Sequence, residues 1–180
     1  LALTQARKSG SKVSVASKTT ETTLVEANPA GGFTLTTSQL PTRTLKDGVW
    51  KDLDTSLTVG SDGRIHPSLT IPDLSFSNGG SGALAITGRG GATVNVTLPT
   101  KLPTPTLAGN ILTYSDVLPG VSLQLTVSGT GYVETWIVKD ATAARHPALA
   151  ALTAQIDVTG GTAQNNSDGS TVITSNGQPV

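Results

Sequence analysis

Hydrophobic and polar residues alternate with a period of two in several stretches of the chain. In GGFTLTTS, Phe33 and Leu35 face one way and Thr34 and Thr36 the other. In ATVNVTLP, Val94, Val96 and Leu98 oppose Thr93, Asn95 and Thr97. In GVSLQLTVS, Val121, Leu123, Leu125 and Val127 oppose Ser122, Gln124 and Thr126. Successive side chains of a strand point to opposite faces, so each stretch predicts a strand with one wet face. In YVETWIV the pattern changes. Tyr132, Glu134, Trp136 and Val138 share one face, while Val133, Thr135 and Ile137 share the other. Both faces are apolar enough to predict a central strand with Trp136 in the core.

Turn chemistry punctuates these runs. Lys46-Asp47-Gly48, Ser61-Asp62-Gly63, Gly88-Arg89-Gly90-Gly91 and Ser128-Gly129-Thr130-Gly131 each separate two strand-like segments, and Ser167-Asp168-Gly169 precedes STVITS. Asp-Gly and Gly-rich turns supply the positive φ that tight hairpins require. One stretch, KDATAARHPALAALTAQ, reads as helical instead. Asp140 can cap its first turn, and His146-Pro147 interrupts it. The spacing predicts a short helix over Ala141–Arg145 and another turn from Pro147 to Leu152. The sum is an all-β fold: an antiparallel β-sandwich with Gly and Asp-Gly hairpins and one short helix near 140–152. Residues 1–21 read as a flexible polar lead-in, and 22–180 as one sandwich-like domain or as two tightly joined sheets.

Composition agrees with strands. Thr is the commonest residue, roughly one in six, and β-branched side chains suit a pleated, half-buried surface. A formal net charge of +0, with only 13% charged residues, argues against nucleic acid as a partner, which would need a basic face. The bases that do cluster, Arg7, Lys8, Lys12 and Lys18, lie in the lead-in. No run of about 18 apolar residues occurs, so no membrane insertion is expected. With no Cys there is no disulfide framework and no thiolate chemistry. The absence of Met, even at position 1, predicts that the chain begins inside a longer reading frame or after processing.

Candidate chemistry is sparse. The two histidines, His66 and His146, each precede a proline and read as turn residues, and no G-x-S-x-G nucleophile elbow is present. No catalytic residue and no cofactor are predicted. Asp52 and Asp54 are the candidate pair for a Ca²⁺ ion, set against two solvated carboxylates on a strand. Trp50 is the candidate for stacking a sugar, set against burial in the core, where so few aromatics are needed. Lys51 and Lys139 could enter a Lys–Asn cross-link, set against ordinary solvation. Asn95 and Asn165 open N-x-S/T sequons, which matter only in a eukaryotic secretory route.

A longer set of phrases carries a family resemblance. LVEANPAGGFTLTTSQLPTRTLKDGVWKDLDTSLTVGSDGRIHP is followed by LSFSNGGSGAL, by LPTPTLAGNILTYSDVLPGVSLQLTVSGTGYVETWIVKDATAARHPAL, and by DGSTVITSNGQPV. In this order they resemble the N-terminal region of large secreted actinobacterial proteins. Those proteins continue into LamG-like, DNRLRE-type or RHS/YD-repeat domains, including polymorphic toxins and wall-associated proteins. The resemblance spans roughly Leu24 to Val180. It implies a secreted or cell-surface location and a non-catalytic structural or adhesion module. The implied partners are the other domains of the same polypeptide, with glycan or cell wall as the alternative. It supplies no catalytic residue, and Ser122 stands where the family tends to have an acid. In the family the chain continues beyond the segment matching GQPV, which implies that this chain is a fragment.

Overall fold

A computed structural model describes residues 1–179, and the chain divides into two units, Leu1–Leu53 and Asp54–Val180. In the first unit, helix α1 (Ala2–Ser9) closes on Gly10, whose N–H donates to the Ala6 carbonyl at 2.9 Å. Arg7 and Lys8 occupy its last turn, where the helix dipole favours cations. Strands β1 (Val13–Ser14), β2 (Thr23–Ala27) and β3 (Phe33–Thr37) pair antiparallel in that order. Strands β4 (Arg43–Lys46) and β5 (Val49–Asp52) form a hairpin. Its two turn residues, Asp47 and Gly48, both have positive φ (54° and 76°), the mirror-image turn that matches strand twist.

The stretch 1–21, read from the sequence as a flexible polar lead-in, carries helix α1 and strand β1, and the first unit runs to Leu53. The cause is local hydrogen bonding. Val13 and Ser14 pair with Ala27 and Glu26, and buried Thr19 donates its hydroxyl to the Val15 carbonyl. The alternation of β3 is as predicted, but its apolar side is left uncovered: Phe33 is 56% and Leu35 65% exposed. Within this unit only Ala6 and Ala27 are buried apolar residues.

The second unit holds the sandwich. Strands β6 (Asp54–Val59), β7 (Ile65–Leu69), β8 (Asp73–Phe76), β9 (Ala83–Arg89) and β10 (Ala92–Thr97) run as an antiparallel meander. The following strands are β11 (Thr106–Ala108), β12 (Ile111–Leu118), β13 (Val121–Ser128), β14 (Gly131–Val138), β15 (Gln155–Thr159), β16 (Thr162–Asn165), β17 (Thr171–Ser175) and β18 (Gln178–Pro179). One sheet has the order β15-β10-β9-β8-β7-β6, and the other β11-β12-β13-β14. A single core joins them. Ile65, Leu74, Phe76, Leu84 and Ala85 come from the first sheet, and Leu112, Tyr114, Leu123, Leu125 and Val127 from the second. This is the antiparallel sandwich that the alternation predicts. A small third sheet, β16-β17-β18, follows.

The segment after Asp140 is helical as expected, in two short 3-10 pieces, Ala143–Arg145 and Pro147–Ala151. Pro147 has no N–H to donate and pushes His146 to an extended ψ of 123°, so the helix cannot continue. Asp140 does cap, its Oδ1 accepting from the Thr142 and Ala143 N–H groups at 2.9 and 2.8 Å. Strand β14 is an edge strand, not a central one. Its Tyr132 and Trp136 face the core half-buried, and Val133 and Ile137 point to the opposite face and stay exposed, since no layer covers that face among the described residues.

Candidate functional site: a polar groove on the outer sheet face

The register of the six-stranded sheet sorts its side chains into rows. Ile65, Phe76, Ala85 and Val96 oppose one another along the core side. One residue out of phase lies an outward row, with Thr58 opposite His66, Ser75 opposite Ile86, and Asn95 between Ile86 and Asp157. Because Ile65 pairs with Phe76, antiparallel register sets His66 beside Ser75. The next outward row joins Asp73, Gly88, Thr93 and Thr159. The missing side chain at Gly88 leaves a depression of about 280 Å³, walled by His66, Asp73, Ser75 and Thr93 over Ile86 and Leu74.

The five-residue loop between β6 and β7 fixes one wall. Asp62 Oδ1 accepts from the Arg64 N–H at 3.0 Å, and both carboxylate oxygens lie 3.0 Å from His66 Nε2. The Arg64 N–H and then the His66 ring hold the Asp62 carboxyl below its usual range. An ionised carboxylate only accepts, so His66 carries a proton on Nε2. Gly60 allows the approach, since a Cβ there would lie 2.8 Å from Asp62 Oδ1 and 2.9 Å from the imidazole. Arg64 turns back across the sheet. It donates Nε to Ser75 Oγ at 2.9 Å, Nη2 to the Ser75 carbonyl at 3.1 Å and Nη1 to the Ala83 carbonyl at 3.2 Å. Burial lowers its affinity for the proton, while the nearby Asp62 raises it. Asp62, His66 and Ser75 are thus gathered in one region. However, Ser75 Oγ takes its hydrogen bond from Arg64, and no His66–Ser75 hydrogen bond occurs among the described residues. A nucleophilic Ser–His pair requires that bond.

Apart from His66, the residues singled out in the sequence fall elsewhere. Asp52 and Asp54 belong to different units. Asp52 lies 3.7 Å from the Nε of the buried Arg43, and Asp54 Oδ1 accepts from the Ser56 N–H at 2.9 Å. The Ser56 contacts hold the Asp54 carboxyl below its usual range. No group of three or more metal-ligating side chains occurs among the described residues. Trp50, on β5 opposite Leu45, is half-buried and donates Nε1 to the Ala16 carbonyl at 3.2 Å. His146 accepts the Ala148 N–H on Nδ1 and caps the second 3-10 turn. Lys51 and Lys139 are exposed. Asn165 accepts from the Thr171 hydroxyl, and Asn95 has its Oδ1 buried without a protein partner among the described residues.

Sequence reasoning read SDGRIHP as a plain turn and missed the groove. The signal available was Asp, Arg and His at alternate positions across an Asp-Gly turn, which places all three on one side of the emerging strand. The Ser75 and Gly88 contributions depend on register between strands and had no local signal. Comparison with known proteins finds no matching family model, no similar curated protein and no matching solved structure.

Proposed function

We propose that this chain is a non-catalytic structural or adhesion module of a secreted, multidomain bacterial surface or toxin-delivery protein, whose first partners are other domains of the same polypeptide. The observation that carries this proposal is where the scarce large side chains go. Phe76 and Tyr114 are fully buried, Tyr132 meets Phe76 edge-on at 5.3 Å, and Trp136 packs on the same core. The sandwich commits these rings to rigidity, and its outward rows present Ser, Thr and Asn instead. Exchange of His66 and Ser75 for Ala in the full-length gene product tests it. Export and surface display should persist, and removal of Asp54–Val180 should abolish them. Turnover in a panel of hydrolase substrates, lost on His66→Ala, would overturn the proposal.

A second reading is favoured by the groove itself. An open depression with one carboxylate, one imidazole and the Ser75 and Thr93 hydroxyls suits the hydroxyls of a cell-wall glycan, which carboxylates bind through paired hydrogen bonds. Asp73→Ala should weaken glycan retention about tenfold, roughly 1.4 kcal/mol. Trp50→Ala should cost only stability, since that indole is engaged within the first unit. A glycan array and a wall pull-down that both return nothing would reject this reading.

A further inference from the structure

The sandwich has four sheet-edge strands, and three of them are blunted. β11 has only three residues and follows Pro103 and Pro105. β6 carries a register irregularity, and its Leu57 N–H is already bonded to the Gly109 carbonyl. β15 presents Asp157 and runs on through Gly160 into the third sheet. β14 differs from all of these. It has eight residues, no Pro or Lys, and an unbroken register with β13. Its outward apolar side chains are uncovered, with Val133 64% and Ile137 42% exposed. A long, regular, apolar edge is a template for strand pairing.

The direction of its free backbone groups follows from one bond. The Lys139 N–H donates to the Gly120 carbonyl on the β13 side. Alternation then turns Ile137, Thr135 and Val133 towards β13. The N–H and C=O groups of Tyr132, Glu134, Trp136 and Val138 point to the open edge. These four have no backbone partner there among the described residues. Any antiparallel pairing of two such edges must set these residues against one another. Several two-fold registers do so, and those centred near the middle of the strand pair most of it. Glu134 opposite Glu134 puts like charges face to face, and Trp136 opposite Trp136 leaves half the strand unpaired. The register centred on Thr135 pairs Tyr132 with Val138, Glu134 with Trp136, and Val133 with Ile137. It uses all of Tyr132–Val138 and opposes no like charges.

We propose that two copies of this chain pair through β14, antiparallel about a two-fold axis at Thr135, so that their four-stranded sheets join into one eight-stranded sheet. The contact is isologous, and its outward face carries two Val133–Ile137 pairs from self-complementary strands.

The test uses the 180-residue chain. Sedimentation velocity across the micromolar to millimolar range should show a concentration-dependent dimer. Val133→Lys, at an exposed position, should raise its dissociation constant at least about tenfold and leave the melting temperature unchanged. The chain has no cysteine, so single replacements report register directly. Thr135→Cys places two thiols across the axis in a non-hydrogen-bonded pair. Its Cα separation of about 4.5 Å lies within disulfide reach. It should cross-link far faster than Thr126→Cys on β13. Val133→Cys and Ile137→Cys should each fail to cross-link alone and cross-link when mixed. A monomer at all concentrations overturns the proposal. So does a dimer that Val133→Lys leaves intact, or one that cross-links equally well at Thr126.

Discussion

Tyr114→Phe removes one atom from the middle of the sandwich and should be costly. The ring is fully buried on β12, and its hydroxyl donates to the Ser77 carbonyl at 2.6 Å. Ser77 is itself 6% exposed, and its N–H and hydroxyl are already committed to Leu84 and Gly79. Phe keeps the ring packing but strands the carbonyl in the core. A buried acceptor left unpaired costs about 1–3 kcal/mol. In a chain of this size each kcal/mol moves the melting temperature by about 2–4 °C. Tyr132→Phe is the internal control, because that hydroxyl makes no protein hydrogen bond among the described residues; it should change stability by less than about 0.5 kcal/mol. Urea titration followed by tryptophan emission measures both, and the slope should not change, since neither variant alters the surface exposed on unfolding. Alkaline pH adds a second readout. Burial pushes both phenols above their ordinary value of 10.0, Tyr132 to about 12 and Tyr114 higher still. Above pH 10 the unfolded tyrosines lose protons that the folded ones keep. Native stability therefore falls as pH rises, and the gap between the native chain and Tyr114→Phe narrows. A Tyr114→Phe penalty no larger than that of Tyr132→Phe, or a gap that does not narrow, would refute the role assigned to this bond.

Asp140→Ala should destabilise by about 1 kcal/mol in the same titration, because two N–H groups of the first 3-10 turn lose their acceptor. Gly160→Ala should cost more than about 2 kcal/mol: its φ is 72°, and an added Cβ would collide with the Gly91 carbonyl, which melting curves would register. Asp62→Asn should lower stability at neutral pH and matter less in acid. The folded-state pKa of Asp62 is depressed, so its contribution is present above the ordinary value of 3.8 and disappears as pH falls through the folded one. Denaturation curves at neutral pH and near pH 3 compare the two.

The core of the sandwich was legible because one-sided alternation translates directly into burial. Val121, Leu123, Leu125 and Val127 are at most 1% exposed, and Ser122, Gln124 and Thr126 between them stay half-exposed. Alternation says nothing, however, about what lies across from a face. Phe33 and Leu35 show the same period as β13 and yet face outward, because period two reports the strand and not its cover. Strand β14 misled for a related reason. Apolar residues on both faces fit a central strand, and they fit equally well an edge whose outer side chains remain bare. The groove was the least legible feature. His66, Ser75 and Gly88 meet only through the register of three strands, and register is set by the whole hydrophobic pattern of the sheet, not by local residues.

The groove and the free edge occupy different sheets of the sandwich, and this separation has a consequence. Pairing through β14 extends the four-stranded sheet and leaves the outward face of the six-stranded sheet untouched. A dimer would therefore carry two open grooves on one rigid body. Open depressions with few polar groups bind single sugars weakly. Two held at fixed spacing gain about 10²–10⁴ in avidity on a repeating polymer. Val133→Lys, which lies on the other sheet, should then reduce retention on an immobilised wall polymer far more than on a soluble monosaccharide. Asp73→Ala should reduce both alike. Equal loss in the two formats for Val133→Lys would show that the edge and the groove act independently.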